Sequence, residues 1–189
     1  MPYLLEALLL LDEDVPAERV DAAAEAFGMP MGPVTLADQV GLDIALDVAD
    51  GLRDMLDVPV PEVPDWLRRK VEDGHLGAKS GRGLYDYDDD GKPKKREFEG
   101  AADDELVDRL VLPMVNAAIA CLGEDVVADS DTLDAALIFG TGFAPFRGGP
   151  LWYARSRGLD VVRQRLEELA DQHGPRFAPA ANGWQMLQP

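Results

Sequence analysis

Pro2-Tyr3-Leu4-Leu5-Glu6-Ala7-Leu8-Leu9-Leu10-Leu11-Asp12-Glu13-Asp14-Val15-Pro16-Ala17 opens the sequence with an apolar run that stops at acidic residues. Its pattern returns at one constant offset. Pro2, Ala7, Leu11, Glu13, Asp14, Val15 and Ala17 recur as Pro113, Ala118, Leu122, Glu124, Asp125, Val126 and Ala128. After small gaps Pro33 pairs with Pro145, and Gly41-Leu42-Asp43 pairs with Gly158-Leu159-Asp160. Chance supplies one such match, whereas a series in register reads as an internal duplication.

Working outward from that run, the apolar residues keep helical spacing. Residues 2 to 11 read as a buried helix. Pro16 stands in the first turn of a second helix whose Val20, Ala23 or Ala24, and Phe27 share a face until Gly28 ends it. Pro33 opens a short helix. A longer one follows Asp43 as cap, with Ile44, Val48, Leu52 and Met55 on one face. Pro59, Pro61 and Pro64 break the chain before a short helix holding Trp66, Leu67 and Val71, and a glycine-rich turn runs from Gly74 to Tyr87. The second series places Leu106, Leu110, Met114, Ala117 or Ala118, and Cys121 on one stripe, and a last helix carries Val162, Leu166 and Leu169. The expected fold is all-α: a helical bundle over 1–87, a charged linker over 88–101, and a duplicated bundle over 102–189.

Charge and cysteine usage narrow the function classes. The 189 residues carry 36 Asp and Glu against 18 Lys and Arg, a formal net charge of −18. A general nucleic-acid binder would meet phosphates through a repulsive field, so no nucleic-acid partner is expected. Cys121 is the only cysteine, which excludes an intrachain disulfide and a cysteine metal cluster, and two histidines are too few for a histidine-rich metal site. The opening Leu run carries Glu6, lacks a basic leader and is shorter than a membrane span of about 20 residues. These features read as a cytoplasmic protein with no membrane insertion.

Dinucleotide and phosphate motifs are missing. The glycine pairs Gly81/Gly83 and Gly140/Gly142 are followed by Asp86 and Pro145 where a third glycine would stand, and no Gly-Lys-Ser/Thr loop occurs. Ser80, His75 and Asp73 lie close in sequence without a triad pattern. No catalytic, cofactor-binding or metal residue is therefore assigned. Two turns are candidates for binding. Gly28-Met29-Pro30-Met31-Gly32-Pro33 offers helix-entry amides beside apolar side chains, suited to an acyl chain near an oxygen-rich head group or serving as a tight interhelical turn. Lys79, Ser80 and Arg82 either contact a phosphate of a cofactor-like thioester or hold their own loop. The Gly140–Gly149 turn, with two rings and Arg147, reads as packing against a neighbouring domain.

The whole chain resembles the paired C-terminal helical domains of the 3-hydroxyacyl-CoA dehydrogenase family, particularly the doubled form in the multifunctional fatty-acid oxidation enzyme. The first half carries the resemblance through Met1–Ala7, Gly28–Pro33 with Leu36 and Asp38, Gly41–Asp43 and Gly77–Tyr87; the second through Asp108–Leu110, Pro113–Asn116, Gly123-Glu124 and Gly140–Gly149. It implies bundles like the C-terminal domain of 6-phosphogluconate dehydrogenase. It also implies a place in the NAD-dependent oxidation of L-3-hydroxyacyl-CoA in β-oxidation. The family's NAD-binding Rossmann domain and catalytic residues fall outside this sequence, the catalytic Asn just before Met1. The resemblance makes Met29, Pro30, Gly32, Pro33 and Leu36 candidates for shaping the acyl side of the cleft, with Asp38 anchoring the local fold. The expected partners are acyl-CoA, a separate Rossmann subunit and a second copy of the chain, and the chain alone is expected to be inactive. The alternative is a non-catalytic helical interaction or acyl-CoA-binding module.

Overall fold

The computed structural model describes residues 2–55, 61–98, 100 and 103–188; the side chains of residues 54 and 55 are not described. The break at Pro59 lies outside those residues, and the place of the Met55 side chain on its helix face is likewise not described. The described helices are α1 (Pro2–Asp12), α2 (Ala17–Phe27), α3 (Pro33–Val40), α4 (Leu42–Met55), α5 (Asp65–Glu72), α6 (Asp104–Gly123), α7 (Ser130–Thr141), α8 (Pro150–Arg157) and α9 (Leu159–His173). Short three-ten turns cover Ala78–Ser80, Pro145–Arg147, Pro175–Phe177 and Trp184–Leu187. Among the described residues, β pairing is limited to isolated bridges such as Gly77 with Arg82 and Tyr87 with Pro93. The fold is all-α.

Two compact units divide the chain. One comprises Tyr3–Ala26 and Met31–Leu106; the other comprises Phe27–Pro30 and Val107–Pro189, with Pro2. In the first, Leu5, Leu8, Ala37, Leu42, Ala49, Val63 and Leu67 form a buried cluster, with Leu46, Trp66 and Leu84 packed against it. The α4 face differs from the sequence reading. Ile44 and Val48 are exposed, and Leu42, Ala45 and Ala49 point inward. Both stripes repeat at helical spacing, and the small Ala45 and Ala49 permit the closer approach of neighbouring backbone. Asp43 lies inside α4 and takes the Lys79 ammonium.

The charged stretch after Tyr87 runs along α2 within the first unit. Lys95 Nζ sits 2.8 Å from the Asp21 carboxylate, Arg96 N donates to Glu18, and Arg19 pairs with Asp103. Elsewhere in this unit Arg68 donates through two nitrogens to Asp50, at 2.7 and 2.8 Å, and Arg53 adds a third bond. These bonds, Arg68 foremost, hold the Asp50 carboxyl down to about 2. Its stabilising contribution is therefore present above the ordinary carboxylate range and is lost as the pH falls toward about 2. The pair is well solvated, so the effect on stability is small. Carboxyl-carbon NMR is expected to show Asp50 titrating near that value and returning toward an ordinary carboxylate in Arg68→Ala; an unmoved titration would refute the pairing.

The helix α6, which enters the second unit at Val107, is long and apolar enough, by length and composition alone, to cross a bilayer. Here Leu110, Val111, Leu112, Val115, Ile119 and Leu122 are each at most 2% exposed, so its apolar length is consumed inside the fold. Met114 and Cys121, expected on the same stripe, are half-buried. Val162, Leu166 and Leu169 of α9 are fully buried, as their spacing predicts.

Three local devices occur once in each half. Asp14 and Asp125 both adopt positive φ, 62° and 55°, at the ends of α1 and α6. In each case the next residue's N–H reaches five residues back, Val15 to Leu10 and Val126 to Cys121, which closes the helix end in a Schellman turn. Gly32 and Gly149 each precede a proline that opens a helix and supply no side-chain cap. Asp21 instead accepts from Val34 N at 2.8 Å, and Asp134 accepts from Leu151 N at 2.7 Å and Trp152 N at 2.9 Å. Gly41 and Gly158 then link helices at φ 101° and 97°. By this geometry the counterpart of Pro33 is Pro150. Pro145, the sequence match, opens a three-ten turn instead.

Candidate functional site

The candidate turn lies between α2 and α3. In the second unit Met29 is buried and Pro30 exposed; in the first, Gly32 and Pro33 are buried and Leu36 is half-buried. Asp21, itself buried, explains why α3 starts where it does. Its carboxylate accepts from Val34 N, Thr35 N, Thr35 Oγ1 at 2.6 Å and Tyr85 Oη at 3.1 Å, and it receives Lys95. A negative group at a helix N-terminus satisfies amides that have no intrahelical acceptor. The amides that the sequence offered to a ligand head group are thus taken by Asp21.

Lys79 and Ser80 sit on the 77–87 turn, and both are engaged there. Lys79 Nζ lies 2.6 and 2.7 Å from the two Asp43 oxygens, a bond that holds the Asp43 carboxyl below its usual range. Ser80 Oγ accepts from Leu76 N at 2.9 Å and faces the Arg82 carbonyl at 2.8 Å. Both side chains are exposed at the loop surface. The same turn is secured by Asp38, which is fully buried and accepts from Leu84 N, Tyr85 N and Tyr87 Oη at 2.8, 2.9 and 3.1 Å. Burial pushes its carboxyl up despite those bonds, and burial, reinforced by nearby carboxylates, raises the Tyr85 and Tyr87 phenols.

Other expected features are placed as follows. His75 is a turn residue whose N–H donates to Lys70 O. A small cleft in the first unit is lined by Arg19, Ala23, Ala26, Phe98 and Asp103, and by none of the predicted site residues. Among the described residues, no three His, Cys, Asp or Glu side chains come together as a metal site.

Residues 1–87 match the family described as 3-hydroxyacyl-CoA dehydrogenase, C-terminal domain. Those residues form a helical domain of the 3-hydroxyacyl-CoA dehydrogenase C-terminal type. Across 99% of its length it is 37% identical to the fatty acid oxidation complex subunit alpha of Idiomarina loihiensis, and across 94% it is 36% identical to that of Vibrio parahaemolyticus. It spans 29% and 26% of those relatives. The fold resembles 3-hydroxybutyryl-CoA dehydrogenase of Escherichia coli, with a TM-score of 0.71 at 21% identity over 95% of this chain and 56% of that one. It also resembles the dehydrogenase part of multifunctional enzyme 1 of C. elegans, with a TM-score of 0.63 at 18% identity over 98% of this chain and 46% of that one.

A nicotinamide dinucleotide, which this family implies, does not fit the described residues. Its pyrophosphate is held where a strand turns through closely spaced glycines into a helix N-terminus. Gly81 instead closes a three-ten turn, and Gly142 caps the C-terminal end of α7, where carbonyls and a negative dipole end face outward.

Proposed function

We propose that this chain is the C-terminal, substrate-side and assembly portion of an NAD-dependent L-3-hydroxyacyl-CoA dehydrogenase of fatty-acid β-oxidation, with hydride transfer left to a separate Rossmann domain or subunit. The similarity to the alpha subunit over 99% of the chain carries this reading. Met29, Pro30, Gly32, Pro33 and Leu36 are its acyl-side residues, and Lys79 and Ser80 act at the cofactor-like end, Lys79 by exchanging Asp43 for a phosphate. The chain is inactive alone, because hydride transfer needs a nicotinamide and a base fixed to within about 1 Å. Its place is the cytoplasm.

We further infer that the halves are duplicated bundles of the 6-phosphogluconate dehydrogenase C-terminal type, 1–87 and 102–189 with 88–101 as linker. The paired Schellman turns, glycine-proline helix starts with distant aspartate caps, and Gly-Leu-Asp junctions support this. A second copy of the chain covers the exposed Ile44 and Val48, one turn apart on α4. Light scattering is expected to give a dimer that Val48→Glu splits, and a monomeric wild type would refute it.

The exposed Phe139, Phe146 and Trp152 of the second unit favour one alternative, a non-catalytic helical interaction or acyl-CoA-binding module. Calorimetric titration with an acyl-CoA and with NADH, followed by a turnover assay, separates the readings. The dehydrogenase portion binds acyl-CoA without NADH, shows no turnover alone, and gains turnover when its Rossmann partner is added. Binding of neither ligand selects the interaction module, and NAD-dependent turnover by the chain alone would overturn both.

A further inference from the structure

Within the second unit, Phe27 is held at its carbonyl and its ring by one side chain. Arg147 Nε donates to Phe27 O at 2.7 Å, and the guanidinium lies 4.2 Å over the Phe27 ring. The other sides of that ring meet Phe143 and Tyr153 edge-on, at 5.6 and 5.2 Å between centroids. The next residue, Gly28, has φ 114°, and a Cβ there would fall 2.3 Å from Phe146 Cζ. Two residues on, Pro30 Cγ stands 2.9 Å from the Cβ position of Gly142. Contacts from the Gly140–Gly149 turn therefore bracket Met29, which is 5% exposed. Arg147 makes no ion pair among the described residues of a chain with 36 carboxylates; its planar fork serves a carbonyl and aromatic faces, a combination lysine cannot reproduce at once.

We propose that the Gly140–Gly149 turn is a template for Phe27–Pro30, with Arg147 as the positioning residue that fixes Met29 and thereby sets which acyl groups the turn accepts. This rests on the acyl-CoA reading above. It gives the second half a part in substrate selection in addition to assembly.

The test compares wild type, Arg147→Ala and Arg147→Lys by methionine-methyl NMR and by calorimetry with butyryl-CoA, decanoyl-CoA and free CoA. In Arg147→Ala the Met29 methyl signal is expected to move toward its unfolded position while that of Met114 in α6 stays in place. Affinity for decanoyl-CoA is expected to fall about tenfold and its preference over butyryl-CoA to collapse, with free CoA unaffected. Arg147→Lys is expected to restore part of both. A merely structural role would shift both methyl signals and weaken all three ligands together. An unmoved Met29 signal overturns the template, and a moved signal with unchanged acyl selectivity overturns its role in substrate choice. Should Arg147→Ala fail to fold, Phe146→Ala carries the same readouts, because Phe146 is 75% exposed and its loss leaves the core intact. A wild type that binds no acyl-CoA sinks the dehydrogenase reading and the selectivity step with it, and the methyl signals still decide the template.

Discussion

Replacing Asp38 with alanine is expected to destabilise the first unit by about 3–4 kcal/mol. The residue is fully buried, and its removal strands Tyr85 N and the Tyr87 hydroxyl in the interior and Leu84 N at its half-buried edge. Each unsatisfied donor costs about 1–3 kcal/mol, and the three do not add fully because the turn they secure relaxes as one piece. Urea unfolding followed by Trp66 fluorescence, in a background without Trp152 and Trp184, measures the loss; a change below about 1 kcal/mol would refute the anchoring role. Asp38→Asn is expected to lose less, since one acceptor oxygen remains while the new amide group faces a donor. The pH response distinguishes the two further. Burial raises the Asp38 carboxyl above its ordinary 3.8, so the folded chain binds this proton at a higher pH than the unfolded chain does. Its contribution therefore strengthens as the pH falls through the raised value and levels off below the unfolded one. Asp38→Asn erases that slope.

In the second unit the corresponding loss is expected from Asp108→Ala, at about 3–5 kcal/mol. Asp108 is buried in α6 and takes Arg157 Nη2 at 2.9 Å and Arg165 Nε at 3.0 Å. Its bond raises the Arg157 guanidinium further above the ordinary arginine range. Without the carboxylate, the Arg157 guanidinium, its side chain 26% exposed, loses its counter-charge, and that of Arg165, 21% exposed, keeps only Glu168. Replacing all three with apolar residues of similar volume is expected to recover most of the stability, because the desolvation cost disappears with the pair. Denaturation followed by Trp184 fluorescence reads both variants, and equal losses in the single and triple replacements would show that packing, not charge, is responsible.

Helix positions were legible wherever the chain punctuates itself: proline at Pro33, glycine at Gly28, and the fully buried stripe of α9. The inward face of α4 was not, because Ile44 and Val48 repeat with the same period as Ala45 and Ala49, and hydrophobicity favours the wrong pair. Asp21 and Asp134 were missed as caps, although a signal existed. Gly32 and Gly149 have no side chain to cap the helices that Pro33 and Pro150 begin, so an acceptor had to arrive from elsewhere in the chain. The turn 28–33 was legible through family resemblance. The loss of its amides to Asp21 and the hold of Arg147 on Phe27 were not, since pairings over such separations leave no local pattern.

That last pairing also orders events in time. Phe27 is made first, and the guanidinium that holds its carbonyl follows 120 residues downstream. Its ring partners Phe143 and Tyr153 arrive equally late. The Phe27–Pro30 turn therefore stays unfinished until Arg147 has been made, and contacts this distant in sequence form slowly because chain closure precedes their reward. A nascent chain interrupted before Arg147 would carry an exposed phenylalanine, a state that invites capture by a chaperone. Cutting the gene within the charged stretch after Tyr87 would leave the same ring stranded in one fragment and its socket empty in the other.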